Sequence, residues 1–240
     1  MSNVIKSAKK PVGLYTVDNL PESDGKPMGE THKHVMLILD TLNALQNHFR
    51  NDPKMYVIGN VFVYFLNESG KLSRVAPDIF AVRGVSKEER RVYALEKEGK
   101  SPELIIEFTS KKTRKTDLVK KRGLYAWLGV KEYFIFDPYG EHLEPRLMGL
   151  KWQKGKYVKM TSSHSRFFSA VLDLEVAIEG ENLRFYDPRS GKRLLTHIES
   201  EMAREQEAAA RDHEAAARQA AEAEVARLRE ELARLRKNEE

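Results

Sequence analysis

The sequence of 240 residues contains no cysteine and no long hydrophobic run. The absence of cysteine excludes disulfide bonds, thiol catalysis and any metal site built on cysteine ligands. No apolar stretch approaches the roughly 18 residues that a membrane-spanning helix needs, so we expect no membrane segment. The basic residues 1–10 are not followed by the apolar block of a secretory signal, and we therefore expect a cytoplasmic protein.

Short motifs of several enzyme classes are also missing. The sequence has no phosphate-binding GxxxxGK[ST] loop, no GxGxxG loop and no GxSxG nucleophile elbow. These absences argue against nucleotide hydrolysis, dinucleotide-dependent redox chemistry and serine hydrolysis. The HExxH pair of zinc peptidases is absent as well. His32 and His34 lie two residues apart at the start of a predicted helix, where capping or surface positions are the favoured interpretation.

Charge is unevenly distributed along the chain. There are 41 Lys and Arg against 36 Asp and Glu, a formal net charge of +5. Residues 199–240 hold 8 of the basic and 12 of the acidic residues, so residues 1–198 carry 33 against 24. A basic globular part favours a polyanionic partner such as a nucleic acid.

The chain divides by composition into three predicted parts. Residues 1–29 are polar and rich in Pro and Gly, which indicates an extended arm. Residues 30–198 alternate helical and strand patterns, which is typical of a mixed α/β sheet covered by helices, with extra antiparallel hairpins. Residues 199–240 are nearly all Ala, Glu and Arg, and they predict one long helix.

Hydrophobic spacing predicts the elements of the middle part. Helices are expected over 31–49, with Thr31 as the N-cap, and over 116–128. The predicted strands are, in chain order, 55–66, 74–83, 104–109 and 133–136, followed by 147–152, 157–160, 172–178 and 182–186. The core order is therefore helix, three strands, helix and strand.

The end of the long helix carries a short heptad pattern. Val225, Leu228, Leu232 and Leu235 are spaced by 3, 4 and 3 residues, as in the apolar seam of a coiled coil. The pattern covers about two heptads, so two interpretations stay open. The helix could pair with another copy to form a homodimer, or it could be a solitary helix stabilised by i,i+4 ion pairs.

Two carboxylates occur within predicted strands that are otherwise apolar. Asp78 follows Pro77 within the segment 75–82, and Glu107 follows the apolar run 104–106. Burying a carboxylate is costly unless a basic side chain or a metal ion compensates it. If the strands are neighbours, about 4.8 Å apart, the acids repel each other and a divalent cation such as Mg²⁺ relieves the conflict. The alternative is a pair of strand-end acids that face solvent or a lysine.

A basic segment follows Glu107. Residues 110–122 contain seven Lys and Arg and a single acid, Asp117. Its predicted loop residues, which would bind a phosphate backbone beside the carboxylates, are Lys111, Lys112, Arg114 and Lys115. Lys121 lies on the next predicted helix, one turn before Tyr125, from where it could reach the acids. A solvated helix face is the alternative for any single lysine of this segment.

Taken together, these residues resemble a known family. The matching segments are Pro77-Asp78, residues 107–110, Asp117 with Lys121 and Tyr125, and residues 129–138. They are similar to the Uma-two family of restriction-endonuclease-like proteins, within the PD-(D/E)XK nuclease superfamily. The resemblance extends over residues 14–240, and it includes the arm segment 23–30, the segment 183–188 and the C-terminal tail.

The resemblance implies a restriction-endonuclease-like core with a metal site at its centre. Asp78 and Glu107 match the two acidic ligand positions, and the backbone carbonyl of Phe108 matches the usual third ligand. Glu30 matches an acid at the start of the first helix that often joins such sites. The superfamily lysine, two residues after the second acid, is replaced here by Thr109, and Lys121 holds the position from which this family is thought to supply it.

The predicted activity is hydrolysis of DNA phosphodiester bonds by an endonuclease that depends on Mg²⁺ or Mn²⁺. Asp78, Glu107 and Lys121 are its predicted catalytic residues. Thr109 keeps a second hypothesis open, a catalytically inactive nucleic-acid-binding or assembly module on the same fold. A third hypothesis is an adaptor that works through the C-terminal helix. DNA is the expected partner, and a second copy of the chain is a partner only under the first of the two interpretations of the C-terminal helix.

Overall fold

A computed structural model describes residues 20–23 and 31–238, with side chains described as far as residue 234. The chain forms two compact units, residues 1–194 and residues 195–240. Most of the predicted arm, including Glu30, lies outside the described residues. Within the described part, no helix is both long enough and apolar enough to cross a membrane.

Four α-helices and twelve strands make up the described structure. The helices are α1 (His32–His48), α2 (Leu95–Glu98), α3 (Arg122–Trp127) and α4 (His197–Asn238). The strands are β1 (Met55–Gly59), β2 (Val63–Leu66), β3 (Leu72–Val75), β4 (Ile79–Arg83), β5 (Tyr93–Ala94), β6 (Leu104–Phe108), β7 (Glu132–Phe136), β8 (Leu147–Gln153), β9 (Lys156–Lys159), β10 (Arg166–Ser169), β11 (Leu174–Glu179) and β12 (Asn182–Tyr186).

A six-stranded mixed sheet, in the order β1-β4-β6-β7-β8-β9, forms the centre of the first unit. β6 and β7 are parallel, and every other neighbouring pair is antiparallel. One face packs on α1 and on the small sheet β10-β11-β12. The other face packs on α3 and on a second small sheet, β3-β2-β5. The mixed sheet with flanking helices, antiparallel hairpins and long C-terminal helix confirms the predicted fold class.

Two of the predicted strands are too long. Each divides into two shorter strands that belong to different sheets. The run 55–66 breaks into β1 and β2, and 74–83 breaks into β3 and β4. The first break follows Gly59, where a Cβ atom would lie 2.5 Å from the Asp78 carbonyl oxygen. Asn60 then takes a left-handed conformation, with φ of 55°, and its N–H reaches the carbonyls of Pro77 and Asp78.

The helix predicted over 116–128 begins with a wider turn. Residues Thr116–Lys121 form a π-helical segment, and α3 continues from Arg122. Such segments are rare and occur most often at functional sites. At the other predicted helix the N-cap is confirmed, because the Thr31 hydroxyl accepts the N–H of His34 at 3.3 Å. Strand β10 is an addition that the sequence pattern did not predict.

The second unit is the single helix α4, whose 42 residues span about 63 Å at 1.5 Å per residue. Its described side chains beyond the first turns are exposed. Ion pairs three or four residues apart run along it, as between Glu207 and Arg211 at 2.6 Å and between Arg218 and Glu222 at 2.8 Å. Each exposed pair of this kind contributes only about 0.3–0.5 kcal/mol.

Candidate active site

The two predicted acids come from neighbouring strands of the central sheet. β4 and β6 are antiparallel, and Ile79 pairs with Ile106. The next opposed positions along this register are Asp78 and Glu107. Side chains alternate along a strand, so both acids share the face of Phe80 and Ile105, which is the face that α3 covers. The structure therefore brings the two predicted acids together.

Glu107 is enclosed by the helix that follows β6. Its side chain is 1% exposed. Lys121 Nζ donates to Glu107 Oε2 at 2.8 Å, and the Tyr125 hydroxyl donates to Oε1 at 2.5 Å. Lys121 Nζ also lies 3.3 Å from Asp117 Oδ1, and the Asp117 side chain is 2% exposed. Lys121 thus reaches the acids, which the sequence could only suggest.

Spacing along the helix explains how one element supplies three of these groups. Asp117, Lys121 and Tyr125 are separated by four residues each, so they lie on one face of the π-helical segment and α3. That face packs against β6 and β7. The Tyr133 hydroxyl of β7 donates to the Asp117 backbone carbonyl at 3.0 Å, which fixes the start of the helix against the sheet.

Electrostatics at Glu107 are dominated by burial. Loss of solvent raises the pKa of Glu107 to about 8; Lys121 opposes that rise, and the neighbouring Asp78 and Asp117 carboxylates add to it. Burial lowers the pKa of Lys121, but the three carboxylates outweigh burial and raise it overall. The lysine is therefore charged, whereas burial and the neighbouring carboxylates disfavour the charged form of Glu107.

The charge balance of this cluster fits a divalent cation. If Asp78, Glu107 and Asp117 were all ionised, they would carry three negative charges against one on Lys121, and a divalent cation would balance the difference of two. Mg²⁺ prefers one or two carboxylates together with waters and phosphate oxygens. Among the described residues no group of three or more His, Asp or Glu side chains forms a metal cage. The two carboxylates of adjacent strands, Asp78 and Glu107, match the number that Mg²⁺ prefers.

Asp78 is held more firmly than an exposed strand-end acid would be. Its Oδ2 accepts the backbone N–H of Phe108 at 2.7 Å, and its side chain is 13% exposed. His34 Nε2, from the first turn of α1, lies 3.8 Å from the same oxygen. The His34 ring also packs edge-on against Phe108, with 6.0 Å between ring centroids.

Thr109 lies two residues after Glu107, at the position where the superfamily has a lysine. Thr109 is 1% exposed, and its N–H donates to the Phe136 carbonyl at 2.8 Å. Its hydroxyl has no hydrogen-bond partner within the described part of the chain. The ammonium group of this site comes from the following helix instead.

The predicted phosphate-binding residues lie at the surface immediately after β6. Ser110 opens a tight turn in which its backbone carbonyl accepts the N–H groups of Thr113 and Arg114. The turn exposes the side chains of Lys111, Lys112, Arg114 and Lys115. The segment joins the end of β6 directly to the π-helical segment, so it borders the carboxylate cluster.

Comparison with known proteins gives one family match. The model of the Uma2 family, described as "Putative restriction endonuclease", matches residues 23–176. The chain belongs to the Uma2 family. This membership agrees with the predicted restriction-endonuclease-like fold and with a nuclease function in general. A search of curated proteins finds no match.

Uma2 membership is accompanied by a remote structural likeness. The chain is similar to a solved protein from Anabaena variabilis ATCC 29413, described as "a putative nuclease belonging to DUF820". The identity is 15%, over 70% of this chain and 97% of that chain, with a TM-score of 0.48. An identity and a TM-score this low do not indicate a shared chemistry.

Three site residues were not among the sequence-predicted catalytic and metal-binding residues. Asp117 was noted as the single acid of a basic segment, and Tyr125 as part of the family pattern, but neither was assigned a role. His34 was interpreted as a capping or surface residue, whereas it lies beside Asp78. The four-residue spacing of Asp117, Lys121 and Tyr125 was the available signal, since it places all three on one helix face.

Proposed function

We propose that this Uma2 protein is an endonuclease that hydrolyses DNA phosphodiester bonds with Mg²⁺ or Mn²⁺ as its cofactor. The observation that supports this proposal best is the grouping of three carboxylates around the single ammonium group of Lys121, which leaves a surplus of two negative charges if all three are ionised. Buried acids with a purely structural role are normally balanced within the fold. A surplus of two charges favours a site that takes up a divalent cation.

The proposed metal ligands are Asp78, Glu107 and the backbone carbonyl of Phe108, with Glu30 as a further candidate. When bound, the cation would lower the pKa of a water and polarise the scissile phosphate. The chain's own contribution is to present two carboxylates from adjacent strands at fixed separation. The N–H of Phe108 orients Asp78, and the hydroxyl of Tyr125 orients Glu107.

Lys121 is the proposed catalytic cation of the chain itself. Its ammonium group lies 2.8 Å from Glu107, so it would be close to a phosphate oxygen that approaches the same carboxylate. There it would stabilise the negative charge that develops in the transition state. Asp117 Oδ1 lies 3.3 Å from the same ammonium group, and its negative charge favours the charged form of Lys121.

The exposed turn after β6 would bind the DNA backbone. Its side chains Lys111, Lys112, Arg114 and Lys115 would neutralise phosphates, and contacts to phosphates position a duplex without reading its sequence. The cytoplasm is the proposed compartment of this activity.

The test is a cleavage assay with the full chain on plasmid, single-stranded and branched DNA. We expect Mn²⁺- or Mg²⁺-dependent nicking that Asp78→Asn abolishes. The matched control is Asp52→Asn at the opposite end of β4, where Asp52 pairs with Arg83 at 3.1 Å on the surface, and we expect it to keep the activity.

A different result would select the inactive DNA-binding module. Thr109 at the usual lysine position is the observation that favours this second candidate. Salt-dependent DNA binding that Asp78→Asn leaves unchanged, with all three substrates intact in either metal, would contradict the nuclease proposal. Loss of folding by Asp78→Asn is checked separately by circular dichroism.

A further inference from the structure

The last third of α4 carries an apolar stripe on an otherwise polar helix. The exposed fractions of Val225, Leu228 and Leu232 are 47%, 46% and 56%. Their spacing of three and four residues puts them on one side of the helix, and the sequence continues the spacing with Leu235. Leucines exposed to this degree and aligned in this way are typical of a helix that pairs with another helix.

Charges beside the stripe indicate which partner fits it. If Val225 and Leu232 are a positions of the heptad and Leu228 is a d position, Glu224 is a g position and Arg229 an e position. In a parallel pair of helices, g of one chain faces the next e of the other chain, so Glu224 meets Arg229 of the second copy. The sequence repeats the same Glu–Arg combination one heptad later, at 231 and 236.

Antiparallel pairing is disfavoured by the same charges. In that orientation g faces g and e faces e. Glu would then face Glu, and Arg would face Arg, on both sides of the seam. Like charges at these positions destabilise a coiled coil, so the pattern selects against this orientation.

The upstream part of α4 cannot continue the seam. In the same register, Arg211 and Arg218 fall at a positions and Glu214 at a d position. Arg211 and Arg218 form ion pairs within their own helix. The 28 residues from His197 to Glu224, about 42 Å of helix, therefore precede the seam without taking part in it.

We propose that the stripe from Val225 onward binds the same stripe of a second copy of this chain, as a short, parallel, in-register coiled coil. In such a pair the N-termini of the two α4 helices lie at the same end of the coiled coil. The seam covers only about two heptads, so the dimer should be in concentration-dependent equilibrium with the monomer.

Sedimentation of the full chain, without DNA or metal, tests the pairing. We expect the dimer fraction to rise with protein concentration, and Leu228→Asp to abolish the dimer. The control is Ala226→Asp, which adds the same charge at an outward position and should leave the dimer intact. A chain that stays monomeric at every concentration, or a dimer that Leu228→Asp does not weaken, would overturn the proposal.

Cross-linking tests the orientation. Because the chain contains no cysteine, an introduced cysteine is its only thiol. A chain with Val225→Cys should form a covalent dimer under mild oxidation, because a positions meet across a parallel seam. In an antiparallel pair centred on the seam, the two thiols would lie about 15 Å apart along the axis. Glu230→Cys, at an outward f position, should cross-link poorly. Equal cross-linking at the two positions, or none at 225, would overturn the parallel dimer whatever the outcome of the cleavage assay.

Discussion

Two buried glutamates lie at opposite ends of the adjacent parallel strands β6 and β7, and they differ in what surrounds them. Glu132 accepts hydrogen bonds from the Ser169 hydroxyl and from the N–H groups of Ala170 and Val171. Glu107 is surrounded by two other carboxylates, one ammonium group and one hydroxyl. Both are almost inaccessible to solvent, so burial alone does not distinguish a structural acid from a functional one.

The two sites differ in whether hydrogen-bond donors or further carboxylates surround the buried glutamate. Burial raises the pKa of both glutamates, but the donors around Glu132 oppose that rise, whereas Asp78 and Asp117 add to it at Glu107. Glu132 connects the loop 169–171 to the central sheet through hydrogen bonds, and these donors stabilise its carboxylate without a metal ion. Glu107 has a surplus of negative charge around it, and that surplus is the physical basis of the proposed metal site.

A large loss of cleavage is expected from removing the ammonium group beside Glu107. Lys121→Met should lower cleavage about 10²–10³-fold, since this is the usual cost of losing one group that stabilises transition-state charge. The matched control is Lys120→Met, because Lys120 is the exposed neighbour on the same helix. The measurement is the cleavage rate of each of the two variants at saturating Mn²⁺. Similar rates for the two variants would exclude the proposed role of Lys121.

Exchanging each glutamate for glutamine should separate stability from activity. Glu132→Gln replaces one accepting oxygen by a donor and should cost about 2 kcal/mol in the free energy of unfolding, while cleavage by the folded fraction persists. Glu107→Gln should abolish cleavage at little cost in stability, because glutamine resembles the protonated carboxyl group that the raised pKa of Glu107 favours in the absence of metal. Urea unfolding and cleavage assays of both variants provide the measurement. The account is contradicted if both substitutions affect the same property.

Without divalent metal, stability should fall as the pH rises from about 5 to about 8. Folded Glu107, with its pKa raised to about 8, keeps a proton that the unfolded chain releases near the ordinary pKa of 4.5. The folded state binds more protons across this window, so the free energy of unfolding decreases by up to about 1.4 kcal/mol per pH unit. Unfolding curves at several pH values measure this slope. A Glu107→Gln chain should show a smaller slope, and an equal slope would count against the assignment.

The sequence predicted most of the central sheet, because its strands are continuous apolar runs with clear ends. The prediction was wrong where a backbone break that the hydrophobic pattern does not show divides such a run. Residues 55–66 read as one strand, yet the close approach of Gly59 to Asp78 and the left-handed Asn60 divide them between two sheets. Those constraints arise from tertiary contacts, which a hydrophobic pattern does not encode.

For the site, the sequence supplied the acids and the lysine but only part of their surroundings. Asp78 and Glu107 stood out because carboxylates are rare in apolar strands. His34 could not be placed there, since its proximity to Asp78 depends on how α1 packs against the central sheet. Tyr125 and Asp117 were accessible in principle through helical spacing, although the π-helical turn that carries Asp117 has no simple sequence signature.

Titration of Mn²⁺ into the full chain, followed by calorimetry at pH 8, tests the central claim most directly. The account predicts one bound Mn²⁺ in the wild-type chain and in Glu132→Gln, and at least about tenfold weaker binding in Asp78→Asn and Glu107→Gln. Equal affinity in all four chains, or no binding to the wild-type chain, would contradict the claim that the surplus charge around Glu107 is there to hold a divalent cation.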